Sequence, residues 1–327
     1  MDKIIGLGNA LVDVLATLKD DTLLDEMGLP KGSMQLIDDA KLQQINTKFS
    51  QMKTHLATGG SAGNAILGLA CLGAGTGFIG KVGNDHYGDF FRKNLQKNNI
   101  EDNLLTSEQL PSGVASTFIS QDGERTFGTY LGAAASLKAE DLTLEMFKGY
   151  AYLFIEGYLV QDHEMILHAI ELAKEAGLQI CLDMASYNIV ENDLEFFSLL
   201  INKYVDIVFA NEEEAKAFTG EEPEEALRVI AKKCSIAIVK VGANGSYIRK
   251  GTEEIKVSAI PVEKVLDTTG AGDAFFAGTV IGRAYGKTMA EACGIGSRLA
   301  ASVICTAENV CPRFRPQEFG LDVPVVD

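Results

Sequence analysis

The second half of the chain repeats one order of elements, a short apolar strand followed by a helix. From about Tyr150 onward the pattern predicts strands over Tyr152–Ile155, Gln179–Asp183, Ile207–Ala210 and Ile236–Val241, with amphipathic helices between and after them. Strands that alternate with helices pair in parallel and are covered on both faces. We therefore expect an α/β fold of three layers, α/β/α, with a mostly parallel central sheet.

The first half departs from this alternation. Residues 11–18, 33–37 and 114–131 have the alternating pattern and the turn residues of hairpin-like strands. We interpret them as a smaller β-rich sheet that packs beside the main sheet as a lid, built from roughly 10–57 and 113–132. The prediction is one domain over residues 1–327.

Charge and composition exclude several classes of partner. The 327 residues include 45 acidic and 29 basic side chains, a net charge of −16, and both nucleic acid and anionic membranes need a basic face. The six cysteines show no metal-ligand spacing, which favours free thiols in a reducing compartment. The N-terminus enters a strand at once without the layout of a signal peptide, so we expect a cytoplasmic protein. The weakly polar run Ala65–Gly80 is too short and too rich in glycine to span a membrane.

Several polar clusters follow predicted strands, and open α/β sheets bind ligands outside the carboxyl ends of their strands. These clusters are Asn9 with Asp13, Asn211–Glu214, Gly242–Gly245, and Asp267–Asp273, which follows the run 255–266. Because these ends share one edge of the sheet, we expect the clusters to form one site. Taken alone, Asn211–Glu214 could also be a capped helix with acids in its first turn.

The segment from Asp267 to Asp273 has the composition of an anion site. Gly270, Ala271 and Gly272 carry almost no side chains, and Asp273 falls in the first turn of a predicted helix. Small residues allow close approach of a ligand, and the free N–H groups of a helix start attract an anion such as a phosphate. An acid at such a place suits a proton acceptor. The alternative is an ordinary helix N-cap.

Other motifs fail in detail. Gly75–Gly80 matches G-x-G-x-x-G but leads into a strand, which excludes the dinucleotide-binding interpretation. Gly75–Lys81 lacks the hydroxyl residue that a P-loop needs after its lysine, and His163 and His168 are spaced one residue too widely for H-E-x-x-H. The sequence therefore favours neither a P-loop NTPase nor a metalloprotease.

The chain resembles the ribokinase-like (PfkB) carbohydrate and nucleoside kinases. DTTGAGDAFFAG (267–278) is similar to the C-terminal signature of that family, and residues 59–91 are similar to its N-terminal signature. Asn211–Glu214 matches the family's N-x-x-E, and Lys240–Gly245 resembles its nucleotide-binding loop. Within the family, residues 8–13 and the segment that follows them resemble the opening of adenosine kinases.

This resemblance implies roles for the matching positions. Asp273 would be the general base, and the amides of Gly270, Ala271 and Gly272 would stabilise charge on the γ-phosphate. The residues implied to contact substrate are Asn9, Asp13, Gly59, Gly60, Asn64 and Arg125. Those implied for the nucleotide are Asn211, Lys240, Gly242, Gly245 and Thr268. Glu214 would act on Mg²⁺ through water, and Asp267 with Thr269 match a monovalent-cation site of some members.

The implied activity is ATP- and Mg²⁺-dependent phosphorylation of a primary hydroxyl on an adenosine-like nucleoside or a sugar. A free-sugar kinase acting on fructose, ribose or a keto-deoxy sugar acid is an alternative, and a catalytically silent sugar or nucleotide sensor is another. Potassium dependence stays open, as does the choice between monomer and homodimer. Arg125 could equally be a surface charge, and Phe118, Phe127 and Tyr130 could stack on a base or form core.

Overall fold

The computed structural model describes residues 2–306 and 316–321. The strands are β1 (Ile4–Leu7), β2 (Leu11–Thr17), β3 (Met34–Leu36), β4 (Thr54–Gly59), β5 (Thr76–Gly83), β6 (Ile100–Ser107), β7 (Gly113–Ile119), β8 (Arg125–Tyr130), β9 (Tyr152–Glu156), β10 (Gln179–Asp183), β11 (Ile207–Asn211), β12 (Ile236–Lys240), β13 (Ser246–Lys250) and β14 (Glu253–Val257). The α-helices are α1 (Thr22–Met27), α2 (Asp39–Phe49), α3 (Ser61–Cys71), α4 (His86–Lys97), α5 (His163–Glu175), α6 (Tyr187–Asn192), α7 (Leu194–Lys203), α8 (Glu212–Thr219), α9 (Pro223–Ala231), α10 (Ala271–Ala284) and α11 (Met289–Ile304).

Nine strands form the central sheet in the order β14-β13-β12-β11-β10-β9-β1-β5-β6. The neighbours from β12 to β6 are parallel, and only β13 and β14 join the edge as antiparallel strands. Side chains of a strand alternate between its faces. Thus Phe154 packs with α3, α10 and α11 on one face, while Ile155 packs with α5, α7 and α9 on the other. The predicted three-layer fold is confirmed.

A second sheet has five strands in the order β3-β8-β7-β2-β4. Its core side chains, which include Phe118 of β7, pack against α1 and α2, where Phe49 of α2 contacts the ring of Phe118. Asp38 caps α2 by accepting a hydrogen bond from the N–H of Lys41. The segments 11–18, 33–37 and 114–131 therefore do form a separate small sheet. Strand β4 is an addition to these three predicted segments.

Close packing fixes the helix that begins at the Gly-Ala-Gly turn. The ring of Phe276 in α10 stacks on Phe154 of β9, with 3.8 Å between ring centroids. A Cβ on Gly278 would lie 2.7 Å from the Cα of Gly296, so α10 and α11 touch through their backbones. Such contacts leave little freedom for α10 to slide. They hold its N-terminus at the carboxyl edge of the central strands.

Some predicted boundaries were wrong. The amphipathic run Asn192–Lys203 predicts one helix, but the structure has two helices there, because Asp193 leaves helical geometry between α6 and α7. The apolar pattern that predicts helix α3 starts at Ala65, but the helix begins four residues earlier, at Ser61. The run 255–266 is mostly not a strand: β14 ends at Val257, and residues 258–270 contain neither strand nor helix. Asp267 therefore reaches the edge of the sheet on a loop. The predicted tail 312–327 lies largely outside the described residues.

Candidate active site

A cleft of about 610 Å³ lies between the carboxyl ends of the central strands and the five-stranded sheet. The predicted site residues that line it are Asn9, Asp13, Gly60, Asn64, Asn211, Glu214, Lys240, Thr269, Gly270, Gly272 and Asp273. Among the described residues, those predicted for the site that do not line it are Gly59, Arg125, Gly242, Gly245, Asp267, Thr268 and Ala271. The topology thus brings most of the predicted residues into one cavity.

Asp273 lies in the first turn of α10 and is held from the first turn of α3. The hydroxyl of Ser61 donates to its Oδ1 at 2.6 Å, and Nδ2 of Asn64 donates to its Oδ2 at 3.1 Å. Burial at the floor of the cleft raises the pKa of Asp273 to about 6, although both hydrogen bonds favour the charged form. The carboxylate is therefore mostly ionised at neutral pH and can accept a proton.

The turn before Asp273 presents a helix N-terminus to the cleft. Gly270 has φ of 76°, the left-handed region, and no side chain in the described part of the chain caps α10. The N–H of Ala271 is occupied, because it donates to the carbonyl of Thr268 at 3.1 Å. The next two residues are Gly272 and Asp273, and their N–H groups lie at the positive end of the helix dipole, which faces the cavity. These two N–H groups can therefore bind an anion.

Glu156, the last residue of β9, was not found in the sequence analysis. Its Oε1 accepts from the N–H of Asn9 at 2.8 Å and from Asn9 Nδ2 at 2.7 Å, and its Oε2 accepts from the N–H of Ala62 at 2.8 Å. A Cβ on Gly8 would lie 2.8 Å from Oε2, which leaves no room for a side chain there. Burial raises the pKa of Glu156 to about 7. In the sequence, Glu156 could have been recognised as an acid at the end of an apolar strand.

Asp13 extends from β2 into the cleft beside the Gly-Gly pair. A Cβ on Gly59 would lie 2.2 Å from Asp13 Oδ1, and Gly60 has φ of 83°. The Asp13 carboxylate accepts no hydrogen bond from any other described residue, and burial raises its pKa to about 7, partly offset by the nearby charge of Arg125. It is therefore available to accept hydrogen bonds from a ligand hydroxyl.

The ends of β10, β11 and β12 supply a charged cluster. Lys240 Nζ donates to Asp183 Oδ2 at 2.8 Å. Asn211 and Glu214 form a reciprocal cap, in which Glu214 N donates to Asn211 Oδ1 at 2.8 Å while Asn211 N and Nδ2 donate to the Glu214 carboxylate, each at 2.7 Å. The capped-helix interpretation is thus correct as geometry, and both residues also line the cleft.

The carboxylate of Glu214 can still accept the hydrogen bonds from metal-bound water that a magnesium site needs. Burial, reinforced by the charge of Asp183, raises the pKa of Glu214 to about 7, while Lys240 opposes the rise. Each carboxylate oxygen that accepts one hydrogen bond from Asn211 can accept another. The residues therefore fit Mg²⁺ held through water, the mode that Mg²⁺ commonly adopts. Among the described residues, no group of three or more His, Cys, Asp and Glu side chains forms a direct metal cluster.

Arg125 and Asp267 meet outside the cleft. Arg125 Nε lies 2.7 Å from Asp267 Oδ2, and both side chains are buried. The N–H of Thr269 donates to the other Asp267 oxygen at 2.9 Å. This pair joins β8 of the small sheet to the loop that precedes α10. Arg125 is therefore not a surface charge. The family resemblance leaves open whether residues 304–311 supply further ligands to the cation site, and residues 307–311 lie outside the described chain.

Two further predicted positions, Gly242 and Gly245, are required by the conformation of the backbone. Gly242 and Gly245 form the turn between β12 and β13, and a Cβ on Gly245 would lie 1.9 Å from the carbonyl oxygen of Val257. Of the three aromatic candidates, Phe127 lines the cleft, whereas Phe118 is completely buried in the core of the small sheet. Sequence reasoning also missed Ser61 and Asp183, whose partners are distant in the chain.

Comparisons with known proteins give the class. The pattern of the pfkB family carbohydrate kinases matches residues 32–311. A probable sugar kinase from Rhizobium etli CFN 42 has a crystal structure similar to this one, with a TM-score of 0.87 and 32% identity over 97% of both chains. The crystal structure of the adenosine kinase from Sinorhizobium meliloti is similar too, with a TM-score of 0.82 and 33% identity over 93% of this chain and 94% of that chain. A 5-dehydro-2-deoxygluconokinase from Clostridium perfringens is 28% identical over 79% of this chain and 80% of its own length.

This chain therefore belongs to the pfkB family of carbohydrate kinases. It is a phosphotransferase with an alcohol group as acceptor, and its relatives are nucleoside and sugar kinases. Membership implies the use of ATP, commonly with Mg²⁺. Among the described residues, no helix is long and apolar enough to cross a membrane.

Proposed function

We propose that this protein phosphorylates the primary hydroxyl of a neutral nucleoside of the adenosine type. The observation that carries the choice is the lining of the cleft. Its charged lining residues are six acids, Asp13, Glu156, Asp162, Asp183, Glu214 and Asp273, and one base, Lys240, within the described chain. A sugar acid would bring its own negative charge into this cluster, and like charges repel strongly in a cleft of low dielectric. A neutral acceptor avoids that cost.

The apolar part of the cleft favours a nucleoside over a free sugar. Met34, Leu36 and Phe127 of the small sheet line the cavity together with Leu131, Leu159 and Ile189. Such a surface suits a flat, weakly polar base, whereas a free sugar offers hydroxyls on all sides that apolar side chains leave unpaired. Met34 and Leu36 are 46% and 59% exposed, so a bound base would cover apolar area that now faces water.

In the proposed reaction Asp273 accepts the proton of the attacking hydroxyl, with Ser61 and Asn64 fixing its orientation. Asp13 and Asn9 bind the ribose hydroxyls, and Glu156 fixes the position of Asn9. The N–H groups of Gly272 and Asp273 in the first turn of α10 receive the charge that develops on the transferred group, because the N–H of Ala271 is already engaged. ATP would supply that group, Asn211 and Glu214 would hold Mg²⁺ through water, and Gly242 and Gly245 would shape the nucleotide side of the site. The small sheet acts as a lid that excludes water.

An acceptor panel tests this proposal. ADP formation is measured with adenosine, inosine, ribose, fructose and a 2-keto-3-deoxy sugar acid, with 5′-deoxyadenosine as the matched control that keeps the base but lacks the primary hydroxyl. We expect the highest kcat/KM with a nucleoside and none with 5′-deoxyadenosine. A higher kcat/KM with the sugar acid would contradict the charge argument, and one with a free sugar would contradict the role of the apolar surface.

The ionic requirements and the assembly belong to the same proposal. Asp267 is engaged by Arg125 and Thr269, so we propose that the reaction needs Mg²⁺ but not K⁺. Equal rates in KCl and in tetramethylammonium chloride are the expected result, and activation by K⁺ would return Asp267 and Thr269 to a cation site. Sedimentation will decide between monomer and homodimer. A cytoplasmic location agrees with the supply of ATP.

A further inference from the structure

Among the described residues that line the cleft, Lys240 is the basic side chain, and it lies beside the turn Gly270–Gly272. It ends β12, directly beside Asn211 of β11 in the parallel register. A Cβ built on Gly272 would lie 3.3 Å from Lys240 Nζ, which places the ammonium group against the first turn of α10. The side chain is 18% exposed, so it reaches the cleft while most of its length is buried. A phosphoryl group at this turn would contact both the helix N-terminus and the ammonium group.

Asp183 holds Lys240 in this position. Its Oδ2 accepts from Lys240 Nζ at 2.8 Å, and its Oδ1 accepts from the N–H of Ala185 at 2.9 Å. Ala185 has φ of 64°, a left-handed conformation that residues other than glycine rarely adopt. Backbone strain of this kind is concentrated at functional sites. The turn aims one oxygen of Asp183 at its own backbone and the other at Lys240.

The charge of the cleft gives this lysine its importance. Six acids line the cavity within the described chain, and Lys240 is the base among its lining residues. Burial disfavours the charge of Lys240, but Asp183 and Glu214 outweigh that effect and raise its pKa, so the ammonium group stays protonated. Among the described lining residues, the positive charge that a polyphosphate would meet is that of Lys240, which lies beside the turn.

We propose that Lys240 is a further catalytic residue, which contacts the transferring phosphoryl group beside Gly272, and that Asp183 is the residue that positions it. This inference rests on the proposed kinase reaction. Asp273 takes the hydroxyl proton, the acceptor oxygen forms its bond to the γ-phosphorus, and the electrons of the broken bond leave with ADP. Lys240 keeps its protons throughout and contributes only charge and hydrogen bonds, which count most where negative charge accumulates.

The competing explanation is that Lys240 merely neutralises buried acids. A double variant separates the two roles. Lys240→Met leaves Asp183 without its partner, whereas Lys240→Met with Asp183→Asn removes both charges together. A purely neutralising lysine is dispensable once its acid is gone, so the double variant would regain both thermal stability and turnover. A catalytic lysine is not dispensable, so the double variant would regain stability alone.

The experiment measures kcat, the unfolding midpoint, and the binding of Mg–ADP and Mg–AMP-PNP by calorimetry. We expect Lys240→Met to lower kcat by about 10²–10³, as loss of one transition-state donor does, and to weaken Mg–AMP-PNP by about tenfold or more with Mg–ADP changed by less than about threefold. Asp183→Asn should give a smaller loss of the same kind. Lys240→Arg should recover part of the discrimination between the two nucleotides, because it restores the charge.

Lys174 offers a matched control. It also pairs with an aspartate, with Nζ 2.6 Å from Asp206 Oδ2, and that oxygen also accepts a backbone N–H, from Ile180. Because Asp206 precedes β11, this pair lies at the opposite edge of the sheet. Lys174→Met should leave kcat and both nucleotide affinities within about threefold of wild type.

The possible outcomes distinguish this inference from the proposed function. A Lys240→Met enzyme with kcat within about threefold of wild type would overturn the inference, as would equal weakening of the two nucleotides or full recovery in the double variant. If the wild type phosphorylates none of the acceptors, the proposed function fails. The two nucleotide affinities would still test the contact of Lys240 with the γ-phosphate.

Discussion

Replacing Ser61 by alanine removes the shorter of the two hydrogen bonds to Asp273. The hydroxyl donates to Asp273 Oδ1 at 2.6 Å and stabilises the charged carboxylate, so it lowers the pKa of a group that burial raises to about 6. A hydrogen bond to a charged group contributes about 1.5–3 kcal/mol, and one pH unit corresponds to about 1.36 kcal/mol. Ser61→Ala should therefore raise the pKa of Asp273 by about one to two pH units.

The assay is the pH dependence of kcat/KM, which reports the free enzyme. Asp273 acts only when it is ionised, so the rate rises as pH increases through its pKa, and the acidic limb near pH 6 should move to about pH 7–8. The fold loss of rate is greatest at and below about pH 6, and it shrinks at pH 9 because the carboxylate is then mostly ionised in both enzymes.

A surface serine provides the control. Ser302 donates to the carbonyl of Arg298 on the exposed side of α11, so Ser302→Ala should leave the profile unchanged. Three other acids of the cleft, Asp13, Glu156 and Glu214, also have a pKa raised to about 7, and they could produce a limb in the same range. An acidic limb that stays in place in Ser61→Ala would refute the assignment of that limb to Asp273.

Three further predictions concern the framework of the site. Gly60 and Gly149 share a φ of 83°, but only a Cβ at residue 60 would meet another atom, a backbone carbonyl oxygen at 2.3 Å. Gly60→Ala should therefore lose more stability in urea than Gly149→Ala, and it should also lose most of the activity. Equal losses in the two variants would contradict this explanation. Arg125→Leu leaves the mostly buried Asp267 carboxylate without its ion-pair partner, with only the N–H of Thr269 still donating to it, and should cost about 3–5 kcal/mol in urea unfolding. Arg125→Leu with Asp267→Asn should recover most of this loss, and no recovery would show that the pair is not the cause. Burial raises the pKa of Glu156 from 4.5 to about 7, so the folded state binds the proton of this carboxyl more tightly than the unfolded state does. The free energy of unfolding should therefore fall as pH rises from about 5 to 7, by up to about 3 kcal/mol from this group. Glu156→Gln should flatten the fall of the unfolding midpoint over that range, and an unchanged slope would exclude Glu156 as its cause.

The architecture could be predicted wherever a local pattern repeats. The strands that begin at Tyr152, Gln179, Ile207 and Ile236 are continuous apolar runs because both faces of the central sheet are buried, and such runs can be recognised in the sequence. Strand β6 was not predicted, because it lies at an edge of the sheet and includes the polar residues Glu101, Asp102 and Asn103. An edge strand tolerates polar side chains, so its sequence differs little from that of a loop.

The candidate site divides in the same way. Asp273 and the Gly-Ala-Gly turn could be recognised because a helix start, small residues and an acid are neighbours in the chain. Ser61 and Glu156 could not, because their hydrogen bonds join residues 212 and 147 positions apart. Nothing in the local sequence around either residue indicates its partner.

The sequence by itself determined the layered fold and the Gly-Ala-Gly turn at the start of α10, since each follows from the period of apolar side chains or the conformational freedom of small residues. Only the tertiary structure decided that Lys240 pairs with Asp183, that Arg125 pairs with Asp267, and that Ser61 holds Asp273. Distances between groups far apart in the chain are fixed by packing of the sheet and helices, which no single segment encodes. The Gly-Ala-Gly turn is a local property, whereas the charges that surround it are a property of the fold.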